Sequence, residues 1–338
     1  MAGKNHRVGK SLIDVRREFG TEEQCHAYLE QARWPEGVRC LKCDCDKVSK
    51  FVTNETKRER VNRKGETVEV RVPARRLYQC LNPACNYQFS VSTGTLFNDS
   101  HLPLRTWFLA VALMCNAKKG VSAKQLERDL GVNYRTAWYL AHRIRKAMEE
   151  GAIGEQFSGV VEMDETYVGG KFDPRRHDRW HENKETVFGM VERGGNVKAW
   201  HIQKQGKFAS ISGKIKQNVA VDAALVLTDE SRLYAKLNEA GYRHAAIEHS
   251  IGQYVQGIVH TNSIENFWSL FKRGVIGSFH KVSIKHLDRY LAEFCFRFNG
   301  RRNQELFAMT ILYLVIAVAM PYQELTGHPK PRQDEEPF

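Results

Sequence analysis

The 338-residue chain is long enough for two or three domains, and its 42% hydrophobic content supplies a real core. The formal net charge of +12 favours a polyanionic partner, and it is unevenly spread: residues 1–150 carry 27 Lys and Arg against 17 Asp and Glu, residues 151–338 only 24 against 22. Polar, basic Met1–Lys10 has no apolar run behind it, and the longest apolar stretch, Leu306–Met320, is closed by Pro321 before the ~20 residues a bilayer needs, so neither a secretory signal nor a membrane anchor is expected.

Eight cysteines in a chain of this kind point to metal binding or core use rather than disulfides. Cys40 and Cys43 form a C-x2-C pair, and Cys80 and Cys85 follow in "YQCLNPACNYQFS". Two such knuckles supply the four thiolates of a tetrahedral zinc site, with Cys45 as an alternative to Cys43. Between them, Lys64-Gly65 separates polar, β-leaning runs and suits the hairpin of a zinc ribbon. Cys25, Cys115 and Cys295 stand alone and read as buried thiols.

"LPLRTWFLAVALMCNAKKG" predicts a helix with Trp107, Leu109, Val111 and Leu113 in the core. Ser122 is placed to cap a short helix that Gly131 ends, and a second amphipathic helix begins near Tyr134, with Ala137, Leu140, Ala141 and Ile144 on its apolar face. This is the pattern of a helix-turn-helix, whose second helix is offered to the major groove. Asn133, Tyr134 and Arg135 lie where base and phosphate contacts arise, and Arg143, Arg145 and Lys146 are expected to reach phosphates farther along.

"SGVVEMDETYVGGKF" predicts a strand over 159–168 that ends at Gly169-Gly170. Glu162 and Asp164 share one of its faces, and a carboxylate in so apolar a strand is costly unless it is paired or metal-bound. Strands follow near 186–192 and 197–203, joined by "ERGGN". A buried strand over 224–227 places Asp229 just past its carboxyl end, the edge where α/β folds place their chemistry. A helix over 231–240 and a strand near 244–248 come next. In "HTNSIENFWSLFKRG", Thr261 or Asn262 is the expected cap of a helix whose Asn262, Glu265, Ser269 and Lys272 share one face; Ile264, Phe267, Trp268 and Phe271 pack the other. From Ser283 the chain reads as helices, with Leu287, Tyr290, Leu291 and Phe294 at core spacing and Arg297, Arg301 and Arg302 exposed.

Asp229 and Glu265 are separated by 35 residues, and a lysine follows seven after Glu265. In this arrangement the chain resembles the DDE transposases, and more closely the bacterial insertion-sequence transposases related to the eukaryotic Merlin elements. The strings that carry the resemblance are "YQCLNPACNYQFSVSTGTLF", "MDETYVGGK", "HTNSIENFWSLFKRG" with "FHKVS", and "RYLAEFCFRFNGRR". They cover roughly residues 20–305.

The resemblance implies an α/β catalytic core of RNase H-like type, a mixed sheet flanked by helices, preceded by a small zinc ribbon and a helix-turn-helix domain. The corresponding division is 20–95 zinc ribbon, 100–150 helix-turn-helix, 157–305 catalytic domain and 306–338 C-terminal helix and tail. Asp164 and Asp229 match the first two family acids, and Glu265 the third. Asn262, on the same helical face, is the competing third ligand; a carboxylate holds Mg²⁺ better than a neutral amide does. Glu162 and Glu165 are then supporting groups, and Lys272 and Arg273 would contact the DNA backbone. Two Mg²⁺ or Mn²⁺ ions about 4 Å apart would serve phosphodiester chemistry, beside a structural Zn²⁺. Water would cut at the transposon end, and the freed 3′-hydroxyl would attack target DNA.

The implied partners are double-stranded DNA, both inverted-repeat ends and target, and further copies of the chain, at least a dimer; the expected location is cytoplasmic, on the nucleoid. The rival readings are a zinc-ribbon, helix-turn-helix regulator without chemistry and an RNase H-like nuclease or resolvase that cuts without joining.

Overall fold

A computed structural model of the chain describes residues 9–61, 65–151, 154–169, 184–203, 207–229, 234, 237–247 and 260–327. The chain divides into two compact units, one of Arg16–Phe108 with Leu314–Phe338, the other of Met1–Val15 with Leu109–Tyr313. Helix α1 (Leu12–Glu18) lies across that division and leads to α2 (Glu22–Arg33). A reciprocal pair opens α2: the Thr21 hydroxyl accepts from the Gln24 N–H, and the Gln24 side chain accepts from the Thr21 N–H.

Five short strands follow in the first unit: β1 (Val48–Val52), β2 (Thr56–Val61), β3 (Thr67–Val72), β4 (Arg76–Cys80) and β5 (Gln88–Phe89). β1, β4 and β5 form one antiparallel sheet. β2 and β3 form the expected hairpin, with Gly65 at φ 81° in its turn; Lys64 lies outside the described residues. Buried Tyr78 anchors the small core, its ring 5.4 Å from Trp34 and 5.3 Å from Phe89.

Helix α3 (Leu104–Asn116) forms where it is expected, but its buried side chains are Trp107, Phe108, Ala110, Val111, Ala112 and Met114. Leu109 and Leu113 are only half-buried, because every second residue cannot all face one side of a 3.6-residue helix. α4 (Ala123–Leu130) starts at Ser122, whose hydroxyl accepts from the Gln125 N–H, and stops at Gly131 in the left-handed conformation. α5 (Tyr134–Glu150) starts at Asn133, whose side chain accepts from the Thr136 N–H.

The second unit is built on a five-stranded mixed sheet of β6 (Val160–Val168), β7 (Glu185–Glu192), β8 (Val197–Ile202), β9 (Leu225–Asp229) and β10 (His244–Ile247), in the order β10-β9-β6-β7-β8. β6, β7 and β8 are antiparallel neighbours, whereas β9 and β10 run parallel to β6. Period-two alternation divides the sheet's two faces. Val161, Met163, Phe188 and Met190 pack with Ile211 and Ile215 of α6 (Lys207–Asn218). Val187 and Val191 pack on the opposite side with α7 (Asn262–Gly274) and α8 (Leu287–Asn299). α6 has a weak sequence signal, since Gly213 interrupts it; the four-residue spacing of its two isoleucines is the trace. Of the helix expected over 231–240, residues 231–233, 235 and 236 lie outside the described residues, and residues 237–240 form a turn rather than helix.

Beyond α8 come α9 (Leu306–Ile316) and α10 (Tyr322–Thr326). Leu312 and Ile316 are exposed, so α9 is not buried on every side as its composition suggests. Among the described residues no helix is long and apolar enough to cross a membrane.

Three arginines expected at the surface lie inside. Arg143 is 5% exposed, its guanidinium over the Tyr139 ring and donating to the Tyr139 hydroxyl. Arg145 is 1% exposed and pairs with the buried Glu293 carboxylate at 2.7 Å, tying α5 to α8. Arg297 is also buried, 3.2 Å from the other Glu293 oxygen. One buried acid draws cations inward from two helices, so Arg145 and Arg297 do not present themselves to phosphate, and neither does Arg143.

Candidate active site and metal centre

The sheet itself brings two acids together. β6 and β9 run parallel with Val160 paired to Leu225, Val161 to Val226 and Glu162 to Leu227. Carried two residues further, that register puts Asp164 level with Asp229 on the same face of adjacent strands, which lie about 4.8 Å apart. Asp229 is the last residue of β9, not one just beyond it.

Glu265 approaches from α7, which carries Asn262, Glu265, Ser269 and Lys272 on its exposed side and buries Ile264, Phe267, Trp268 and Phe271. Burial pushes the Asp164 carboxyl up to about 7, and the nearby charges of Asp229 and Glu265 push the same way. Hydrogen bonds work against them: Asp164 Oδ1 accepts from the Glu165 N–H at 2.7 Å, and Oδ2 from the Trp268 indole at 3.1 Å. Both oxygens are therefore oriented while each keeps a lone pair. Three negative charges converging on a partly buried point suit a divalent cation with hard oxygen ligands.

The periodicity of β6 does not reveal what Glu162 does. It is fully buried, and its carboxylate accepts from Arg193 Nε at 2.7 Å, the Ser263 N–H at 2.7 Å, the Ser263 hydroxyl at 3.0 Å and the Ile264 N–H at 3.1 Å. Ser263 and Ile264 belong to the first turn of α7, whose N–H groups have no partner within the helix. A strand carboxylate thus does the work of an N-cap, where charge and helix dipole also agree. Thr261, one expected cap, makes no capping bond; its hydroxyl donates instead to Glu265 Oε1 at 2.8 Å. Arg193 completes the clamp by donating to the His260 carbonyl at 2.8 Å.

Gly189, by contrast, is not singled out by the sequence reading. It sits opposite Asp164 on β7, and a Cβ there would come 2.6 Å from the Trp268 ring. The missing side chain opens the slot through which the indole reaches the acid. A glycine inside an otherwise apolar strand was the available signal. Glu165 faces the other side of β6, where its carboxylate accepts from the buried Tyr234 hydroxyl at 3.3 Å.

In the other unit the structure gathers Cys40, Cys43, Cys80 and Cys85, their sulfurs all within 4.8 Å of one another. Cys40 and Cys85 are 3.7 Å apart and Cys43 and Cys80 3.6 Å, close to the edge of about 3.8 Å for a tetrahedron with Zn–S bonds near 2.3 Å. Cys45 is not in the group; its carbonyl accepts from the Cys40 N–H and helps close the first knuckle. Each knuckle turns through a left-handed residue, Asp44 at φ 56° and Asn86 at φ 46°, types that tolerate this conformation.

Of the residues expected to touch DNA, Asn133, Tyr134, Arg135, Lys272 and Arg273 are exposed, Lys146 is half-buried, and Arg143 and Arg145 are buried. The Asn133 side-chain oxygen is already used in capping α5.

The family model of the ISXO2-like transposase domain matches residues 156–299, and that of the transposase zinc-ribbon domain matches residues 20–88. Residues 156–299 are thus similar to the ISXO2-like transposase domain. The matched stretch holds the mixed sheet, both strand acids and helices α7 and α8. An uncharacterized protein in transposable element ISH50 of Halobacterium salinarum is 29% identical over 300 residues, which span 83% of this chain and 92% of that protein.

The zinc-ribbon match and the four-sulfur geometry together support a structural zinc ion. Purified protein should contain about one zinc per chain, and chelation should melt the zinc-ribbon unit, since such small sites draw their folding energy from the metal. Elemental analysis giving no zinc, with an unchanged melting profile after chelation, would refute this.

Proposed function

We propose that this transposase cuts DNA at the ends of its element and joins the freed 3′-hydroxyl to target DNA, with Asp164, Asp229 and Glu265 holding the divalent cations. The observation that carries the reading is the pairing of two acids at one level of adjacent parallel strands, with a third from a helix clamped to the same strand. Divalent cations bound there would activate the attacking oxygen and stabilise the leaving one. The chain's own contribution is placement. Trp268 and the Glu165 N–H aim the two Asp164 oxygens, Thr261 restrains Glu265, and Glu162 fixes the helix that carries it.

The mixed sheet with helices on both faces supports an RNase H-like core over 157–305. A zinc ribbon over 20–95, a helix-turn-helix over 100–150 and a C-terminal segment over 306–338 complete the proposed organisation. Asn133, Tyr134 and Arg135 at the start of α5 would meet DNA bases and phosphates, and Lys272 and Arg273 the backbone near the cut. Two ends must be held together for joining, so at least a dimer acts.

For the third ligand, Glu265 is favoured over Asn262 because a carboxylate holds a divalent cation better than a neutral amide does, and Glu265 lies near enough for its charge to reach Asp164. The deciding test is metal-dependent cleavage of a duplex carrying the element's terminal repeat. Glu265→Gln should lower cleavage by at least about a hundredfold with end binding retained, the scale of losing one electrostatic contact to the transition state. Asn262→Ala should be much milder, and the reverse ranking moves the ligand to Asn262. Cleavage without strand transfer from a pre-cut end would make the protein a nuclease.

A further inference from the structure

Between α4 and the start of α5 on one side, and residues 278–290 on the other, lies an open cavity of about 930 Å³ within the second unit. Its lining includes Lys124, Arg128 and Lys281 among the cations, and Tyr134, Trp138 and Tyr290 among the aromatic rings. No acidic side chain is among its described lining residues.

The aromatic wall is built, not incidental. Trp138 packs its ring 4.4 Å from His142 and 5.4 Å from His286, and Tyr290 closes on His142 at 5.6 Å. His142 is fully buried with neither ring nitrogen hydrogen-bonded, and burial holds it far below the usual histidine range. His286 is pushed down to about 4, by burial first and then by Arg289 and Lys285. The floor is therefore neutral at physiological pH, and positive charge sits at the rim. Lys124 is paired with Glu127 at 2.7 Å, but that pair is exposed and a phosphate can compete for it.

The rim facing the helices is also strained. α7 runs on into a π-helical turn, Val275–Phe279, and the next residue, His280, sits at φ 58° and ψ −39°. Non-glycine residues are rarely held there, and such outliers gather at ligand clamps.

We propose that this cavity binds an unpaired nucleotide of the DNA, its base stacked against Trp138 and its phosphates on Lys124, Arg128 and Lys281. A paired base hides both faces in the duplex stack, whereas an extrahelical or frayed base offers them. Aromatic walls with a cationic rim and no acid among the lining residues suit that ligand, and the volume lies within the ~300–1,000 Å³ of small-ligand sites. The inference rests on the DNA-binding reading above and adds to it a second mode, directed at single-stranded or unstacked positions.

The test uses the full-length, zinc-loaded protein at low salt with two probes: a blunt duplex, and the same duplex with a four-nucleotide 3′ extension containing 2-aminopurine. The extended duplex should bind about tenfold more tightly and its fluorescence should be quenched, the scale expected from stacking one base. Trp138→Ala should abolish the difference and the quenching while blunt-duplex affinity stays unchanged. Lys281→Ala, at an exposed position, should reduce the preference about threefold and does not depend on refolding of the wall. Equal affinity for both probes, or equal weakening of both by the two variants, overturns the pocket while leaving duplex binding intact. Failure to bind either probe overturns both readings.

Discussion

Asp164→Asn is expected to abolish DNA cleavage and, at pH 8 without added Mg²⁺, to raise the thermal midpoint of the protein by several degrees. Burial lifts the Asp164 carboxyl from an ordinary 3.8 to about 7 in the folded state. Between about pH 4 and pH 7 the folded chain therefore holds a proton that the unfolded chain has lost. Its contribution to stability falls as pH rises through that window, and above about pH 7 the full cost is present. Asparagine has nearly the same shape and does not ionise, so the gain should be largest at pH 8 and vanish near pH 4. The same logic links metal to pH: cation binding must displace this proton, so Mg²⁺ affinity should climb towards pH 7 and then level off. Melting curves at pH 4, 6 and 8, with cleavage assays alongside, test the pair. A midpoint that drops at pH 8, or retained cleavage, would sink the assignment.

The second large effect is expected at a residue that need not touch the cations at all. Glu162→Gln should cost roughly 3 kcal/mol, because it leaves Arg193 beside a neutral group and weakens the hold on the first turn of α7. Glu162→Ala should cost more, since two helix N–H groups then lose their acceptor in a buried place. Cleavage should fall on the order of a hundredfold in both, the scale of a displacement of about 1 Å at a reacting centre. DNA affinity should change little. Adding Arg193→Met to Glu162→Gln should restore part of the stability by removing the stranded cation, but not the cleavage rate. Denaturant titrations within about 0.5 kcal/mol of the parent, together with full cleavage, would contradict this role.

Much of the architecture is legible in the residues because it is periodic or local. The strands around Asp164 and Asp229, the two faces of α7 and the cap-and-glycine bounds of α4 follow from patterns a few residues long. The zinc cysteines were legible as two pairs, although only the fold separates Cys43 from Cys45. What escaped is what depends on distant partners. Glu162 and Asp164 look alike in the strand pattern, and they differ because Ser263 and Ile264, a hundred positions on, bring N–H groups to one and not the other. Gly189 means little until Trp268 is seen to fill its place. Arg145 and Arg297 read as surface cations until Glu293 draws both inside.

The Glu162 clamp also holds α7 in place by the helix's own first turn. Because the first turn of this helix is fastened straight to β6, the position of Glu265 relative to Asp164 is set by two hydrogen-bonded neighbours, not by the length of chain after β10. Doubling the length of a loop adds in general only about 0.6 kcal/mol of closure entropy. On the proposed assignment, the interval between Asp229 and Glu265 can therefore lengthen without moving Glu265 away from Asp164. In this chain the carboxylate two residues ahead of Asp164 says more about how Glu265 is placed than that interval does.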